Sequence, residues 1–95
     1  MTPHPRFRQN YAAAFTRFLF HRDEAALAAA YELGRTGLEQ GIGLLEVVAI
    51  HHAVVLDARP GLEGPHELAE AGATFLVEVL ASFDMAHRAF LDDRD

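Results

Sequence analysis

Between residues 66 and 92 no proline interrupts the chain, and Leu68, Gly72, Phe75, Val79, Phe83, Ala86 and Phe90 recur at spacings of 4-3-4-4-3-4. That period is close to 3.6 and is incompatible with a strand. A helix over this stretch is ~40 Å long, about the span of a small domain. In a chain of only 95 residues, everything else must pack alongside it. Breaker residues divide the remainder into three further segments. Pro3 and Pro5 precede the first, expected over residues 6–20, where Phe7, Tyr11, Phe15 and Phe18 form an aromatic stripe opposite Arg6, Asn10 and Arg17. Asp23 is a suitable N-cap for a second helix over 24–40. Its expected core stripe is Leu27, Ala30, Tyr31, Gly34 and Leu38, with Glu32, Arg35 and Glu39 as an exposed ladder. Gly41, Ile42 and Gly43 end that helix, and a third is expected over 44–58, followed by a loop over 59–65.

Short connections favour antiparallel neighbours, so the expected architecture is all-α, a single-domain up-down-up-down four-helix bundle spanning residues 1–95. Composition agrees. The chain is 51% apolar and 23% charged, which suits a globular fold, and its 17 Ala and eight Arg favour helix. Gly34 and Gly37 sit inside the second helix, where each costs roughly 1 kcal/mol relative to Ala. Such residues are expected where a neighbouring backbone comes close.

Several functions are excluded by the same residues. The net charge is −6, and the only bases are Arg residues scattered among acids, so phosphate-tracking nucleic-acid binding is not expected. With no Cys, a disulfide framework or thiolate metal site is impossible. No apolar run approaches the roughly 20 residues needed to cross a bilayer, and the Met-Thr-Pro-His-Pro start lacks the features of a signal peptide. A cytoplasmic protein without membrane association is expected. Ser82 is the sole serine, and no nucleophile elbow, phosphate-binding Gly loop or facing pair of inward carboxylates occurs, so the chain is not expected to be an enzyme.

The histidines raise a metal or haem possibility. Adjacent His51 and His52 point roughly 100° apart on a helix and cannot chelate one ion together. Asp84 and His87 have the i, i+3 spacing of di-iron bundles, but such sites need a second pair and two further carboxylates. No metal and no cofactor is therefore expected. His51 and His87 are read as buried polar residues, His51 hydrogen-bonded across the bundle and His87 held by Asp84 or by a neighbouring helix. The alternative function is a small-ligand or metal/haem sensor in which those two histidines line a cavity.

The third segment is apolar on nearly every side. Leu44, Val48, His51 and Val55 share one face, flanked by Leu45, His52 and Leu56, while Val47 and Val54 extend the other side. The residual polar line is Glu46, Ala53 and Asp57, with Ile50 among them. A helix apolar all round is buried all round. The reading is that Glu46, Ile50, Ala53, Val54 and Asp57 form a homodimer interface. On the fourth segment, Ala81 and Met85 interrupt a polar face beside Glu78, Asp84 and Arg88. These five are the expected docking patch for a protein partner, since Met adapts to varied surfaces.

Four stretches carry a family resemblance: Tyr11-Ala-Ala-Ala, Ala29-Ala-Tyr-Glu-Leu-Gly-Arg, Gly43-Leu-Leu-Glu-Val-Val-Ala-Ile-His-His and Leu80-Ala-Ser-Phe-Asp-Met-Ala-His-Arg-Ala-Phe. Together they resemble the N-terminal domain of RsbU-type phosphoserine phosphatases, which groups with the helical dimerisation domain of the clock protein KaiA. The family's usual Pro-Phe-Glu-Met-Ala-x-Arg-Gly-Phe is replaced here at Ser82, Asp84 and Ala89. The resemblance implies a four-helix regulatory domain of stress-response signalling that dimerises and receives a switch kinase. Kinase binding in that family turns on a PP2C-type phosphatase domain lying C-terminal to it.

Overall fold

A computed structural model describes residues 4–58 and 64–93, so most of the expected 59–65 loop, together with Pro3 and Arg94, lies outside the described residues. Four helices follow in order: α1 (Pro5–His21), α2 (Glu24–Glu39), α3 (Leu44–Asp57) and α4 (Pro65–Asp93). The described residues contain no strand.

Each helix end has a local cause. Pro5 opens α1 at a position where the missing N–H is not needed. Arg22 closes it in the left-handed region, at φ 51°, donating its N–H to the Phe18 carbonyl. Its guanidinium also lies 5.5 Å over the Phe18 ring and donates to the Glu67 carbonyl at 3.1 Å, which ties the end of α1 to the start of α4. The Asp23 carboxylate accepts the Ala26 N–H at 2.9 Å and caps α2. That bond, reinforced by Arg17, holds the Asp23 carboxyl below its ordinary range. At the other end of α2 the Gly41 N–H donates to the Leu38 carbonyl at 3.0 Å, and the Ile42 N–H to that of Gly37 at 2.8 Å. This is a Schellman motif, with Gly41 at φ 74°, where a side chain would be strained, and Ile42 folded into the core.

The core is centred on α1. Phe7, Tyr11, Phe15, Phe18 and Leu19 are all buried, and Phe75 of α4 sits among them. Its ring meets Tyr11 and Phe15 edge-on at centroid separations of 5.3 and 5.4 Å and tilts against Phe18 at 5.9 Å. Such geometry adds to the area term for burying large rings.

The most extensive helix contact is between α2 and α4. They touch backbone to backbone at Gly34, where an added Cβ would overlap the Ser82 hydroxyl oxygen and the Val79 carbonyl. Gly37 differs: its added Cβ would stand 3.5 Å from Phe7 and 3.6 Å from Val47, at ordinary contact distance. The buried line of α2 is Ala26, Ala30, Leu33, Gly34 and Gly37, leaving the expected Leu27, Tyr31 and Leu38 half-buried at its edge. On α4, Ala71, Phe75, Val79, Ser82 and Phe83 are buried, but Phe90 is exposed. With 29 residues, α4 extends about 43 Å and runs past the core that the shorter helices can cover. Among the described residues, no helix is long and apolar enough to cross a membrane.

Candidate functional site

The third helix does not face the way its residue pattern was read. Ile50 and Val54, expected at an outer interface, are 8% and 5% exposed and belong to the core with Val47 and His51. Ala53 is half-buried beside them. The reason lies in the core built on α1, which takes in Val47, Ile50, His51 and Val54, with His51 bonded to Tyr11; Glu46 and Asp57 stay exposed at the border with α1, 3.1 Å from His4 and 3.4 Å from Arg8. Glu46 is further fixed by accepting the Gly43 N–H at 3.4 Å at the start of its own helix.

That rotation turns a different face to solvent. Leu45 is 83% exposed and Leu56 69%, with Leu44 and Val48 also exposed. Ala49 and His52 lie between them and are exposed as well. The exposed apolar side chains of α3 are therefore not the residues expected at the interface, of which Ile50 and Val54 are buried. An all-round apolar helix has no internal signal for its phase.

The second surface lies along α2 and α4. Ala81, Asp84, Met85 and Arg88 are exposed, Glu78 is half-buried, and Arg88 pairs with Asp84 at 3.1 Å. A groove runs beside Met85, with Tyr31, Arg35 and Leu38 of α2 on one wall and Ala86, Ala89 and Phe90 of α4 on the other. The α2 residues are absent from the patch read off α4 alone, because pairing of two distant segments leaves no mark in either segment's periodicity. Arg35, which lines the groove, pairs with Glu32 at 3.9 Å.

Of the two histidines expected inside, only His51 is there. Its Nδ1 lies 2.6 Å from the Tyr11 hydroxyl, and its ring packs edge-on against Tyr11 and Phe15. His87 is exposed on α4, and Asp84, its expected partner, is engaged by Arg88. The two imidazoles therefore share no cavity. Among the described residues no group of three His, Cys, Asp or Glu side chains is arranged to hold a metal ion.

Burial pushes the Tyr11 phenol above its usual range, and burial followed by the neighbouring His52 pushes His51 below its own. Both rings are thus neutral in the fold. An unfolded histidine titrates near ~6.5, so just below that pH the unfolded chain binds the proton that folded His51 refuses, and stability falls with acidification. Tyr11→Phe removes one partner of a buried bond and is expected to cost about 1–3 kcal/mol. Urea unfolding midpoints at pH 7.5 and 5.5 check both statements. An unchanged Tyr11→Phe midpoint, or a wild-type midpoint that rises in acid, contradicts them.

The described residues form an all-helical domain that leaves apolar side chains exposed on α3 and beside Met85. The model of the phosphoserine phosphatase RsbU N-terminal domain matches residues 9–86, and the chain belongs to that family. The family is defined on a regulatory N-terminal domain, distinct from the phosphatase's catalytic PP2C domain. No curated protein and no solved structure gives a match.

Proposed function

We propose that this chain is a cytoplasmic regulatory module of stress-response partner switching, which self-associates and receives a switch-kinase-type regulator. It does so as an up-down-up-down bundle related to the KaiA dimerisation domain. The carrying observation is that, on a fold of the RsbU N-terminal family, exposed apolar side chains gather into two separate surfaces. Contiguous apolar patches on a small domain mark interaction sites. The outer face of α3, around Leu45, Val48 and Leu56, is assigned to a second copy. The Met85 groove, lined also by Arg35, Glu39, Ala89 and Phe90, is assigned to the regulator, because it combines an adaptable apolar centre with charges of both signs.

The test is association measured on folded variants. Sedimentation should show a wild-type dimer at tens of micromolar and a monomer for the double variant Leu45→Glu/Leu56→Glu. Losing four buried leucines per dimer corresponds to at least about a 100-fold weaker association. Both residues are exposed, so helical content should be unchanged. Ile50→Glu is unsuitable, since it would place a charge in the core. Titration with a purified switch kinase should give a complex that Met85→Glu weakens about tenfold or more. A wild type that stays monomeric, or that binds no switch kinase, refutes the corresponding half.

A further inference from the structure

A separate cleft, of about 270 Å³, opens between α1 and α2 and shares no residue with the Met85 groove. Its floor is apolar, formed by the edges of Phe7 and Leu33, which are 3% and 8% exposed. Ala14 and Ala29 line it with side chains too small to fill it. Its polar members are Arg6 and Asn10 from α1 and Glu32, Thr36 and Gln40 from α2. From Arg6 to Ala14 the lining follows α1 for about 12 Å.

Arg6 is the unusual member. The chain has 14 acids against eight bases, so carboxylates are in excess. Among the described residues Arg8, Arg17, Arg35 and Arg88 each pair with one, and Arg22 donates to the Glu67 carbonyl. Arg6 is exposed at the cleft and has no anionic partner. The one carboxylate on the lining, Glu32, pairs with Arg35 at 3.9 Å. It also stands away from Arg6: the neighbouring Phe7 meets α2 at Gly37, 3.5 Å from a Cβ built there, and Glu32 lies about 7 Å along the helix from that point.

We propose that the cleft between α1 and α2 binds a small monocarboxylate with an unbranched apolar tail, Arg6 taking the carboxylate and the tail lying over Phe7 and Leu33. A guanidinium offers a carboxylate two parallel N–H donors, and the Asn10, Thr36 and Gln40 side chains add neutral hydrogen bonds without adding charge. An apolar surface with a few polar groups to fix orientation is the usual make-up of a small-molecule site. A dianionic phosphate fits less well, because the lining holds a single cation. The proposal does not depend on either partner assignment above. Because the ligand would touch both helices, binding also strengthens the packing of α1 on α2.

Amide chemical shifts of isotope-labelled protein, titrated with sodium hexanoate at constant ionic strength, read the site directly. Saturating shifts within residues 6–14 and 29–40 are expected, with a Kd of about 1 mM. Hexylamine and hexanol carry the same tail with a cation or a neutral hydroxyl and should bind at least about tenfold more weakly. Arg6→Gln should weaken hexanoate by about tenfold or more through loss of the charged fork. Arg6 is exposed, so that variant should keep the wild-type helical signal in circular dichroism. Glu32→Gln should leave hexanoate binding unchanged or tighter, since it removes the one acid on the lining. The proposal is overturned by a titration that does not saturate up to about 20 mM. It is equally overturned by shifts centred on the Met85 groove or on α3, by equal binding of the three probes, by an Arg6→Gln affinity equal to wild type, or by weaker binding to Glu32→Gln.

Discussion

Gly34→Ala is expected to cost about 3 kcal/mol or more, from a single methyl group. The added Cβ has no free volume at all, because the Ser82 hydroxyl and the Val79 carbonyl occupy its position. Ser82 cannot move aside cheaply. It is fully buried on the axis of contact, and its hydroxyl donates to the Val79 carbonyl at 3.0 Å. Overpacking of this kind usually costs 1–3 kcal/mol, and more where the obstacle is backbone. In a domain of this size each kcal/mol lowers the melting temperature by roughly 4–8 °C, so a fall of at least ~12 °C is expected. Gly37→Ala supplies the control. Its Cβ meets side chains at ordinary distance, and alanine's helix propensity should leave the domain unchanged or more stable by up to about 1 kcal/mol. Thermal melts of the two variants decide the matter; equal melting temperatures would contradict the close crossing.

Phe75→Ala should be as damaging for the opposite reason. Its ring is fully buried and touches three aromatic residues of α1, so truncation leaves a void walled by Tyr11, Phe15 and Phe18. Large-to-small changes at aromatic core positions cost about 3–5 kcal/mol. A domain of this length has ~5–14 kcal/mol in total, so the variant should retain helix but lose its cooperative unfolding transition or shift it far down in urea. A midpoint within a few tenths molar of wild type would show that α1 and α4 are held together elsewhere.

How far such residues declared themselves in the sequence depended on contrast. Phe7, Tyr11, Phe15 and Phe18 stand out because small or polar residues separate them, and all four are buried. Gly34 signalled a close approach through the cost of glycine inside a helix, but Gly37 sent the same signal without needing the space. On α3, valine, leucine and isoleucine surround the axis, so no local pattern could choose between inward Ile50 and outward Leu45. The choice is made by tertiary packing: Val47, Ile50 and Val54 join the core built on α1, and Tyr11, 40 residues away in sequence, bonds His51. The same holds for His87: Asp84 was an equally good neighbour for Arg88 at i+4, and the guanidinium has it. Of the expected patch on α4, Met85 alone lines the groove, and Ser82, Ala86, Ala89 and Phe90 complete that wall. The α2 half, Tyr31 and Arg35, appears only when the two helices are side by side.

The contact at Gly34 also restricts how the groove beside it can respond to an occupant. Helices that meet backbone to backbone cannot slide past one another, because any axial shift would drive the Ser82 side chain and the Val79 carbonyl into the opposing turn. Gly34 therefore sets the spacing of the groove's walls: Tyr31 and Arg35 flank it along α2, and Met85 and Ala89 follow Ser82 along α4.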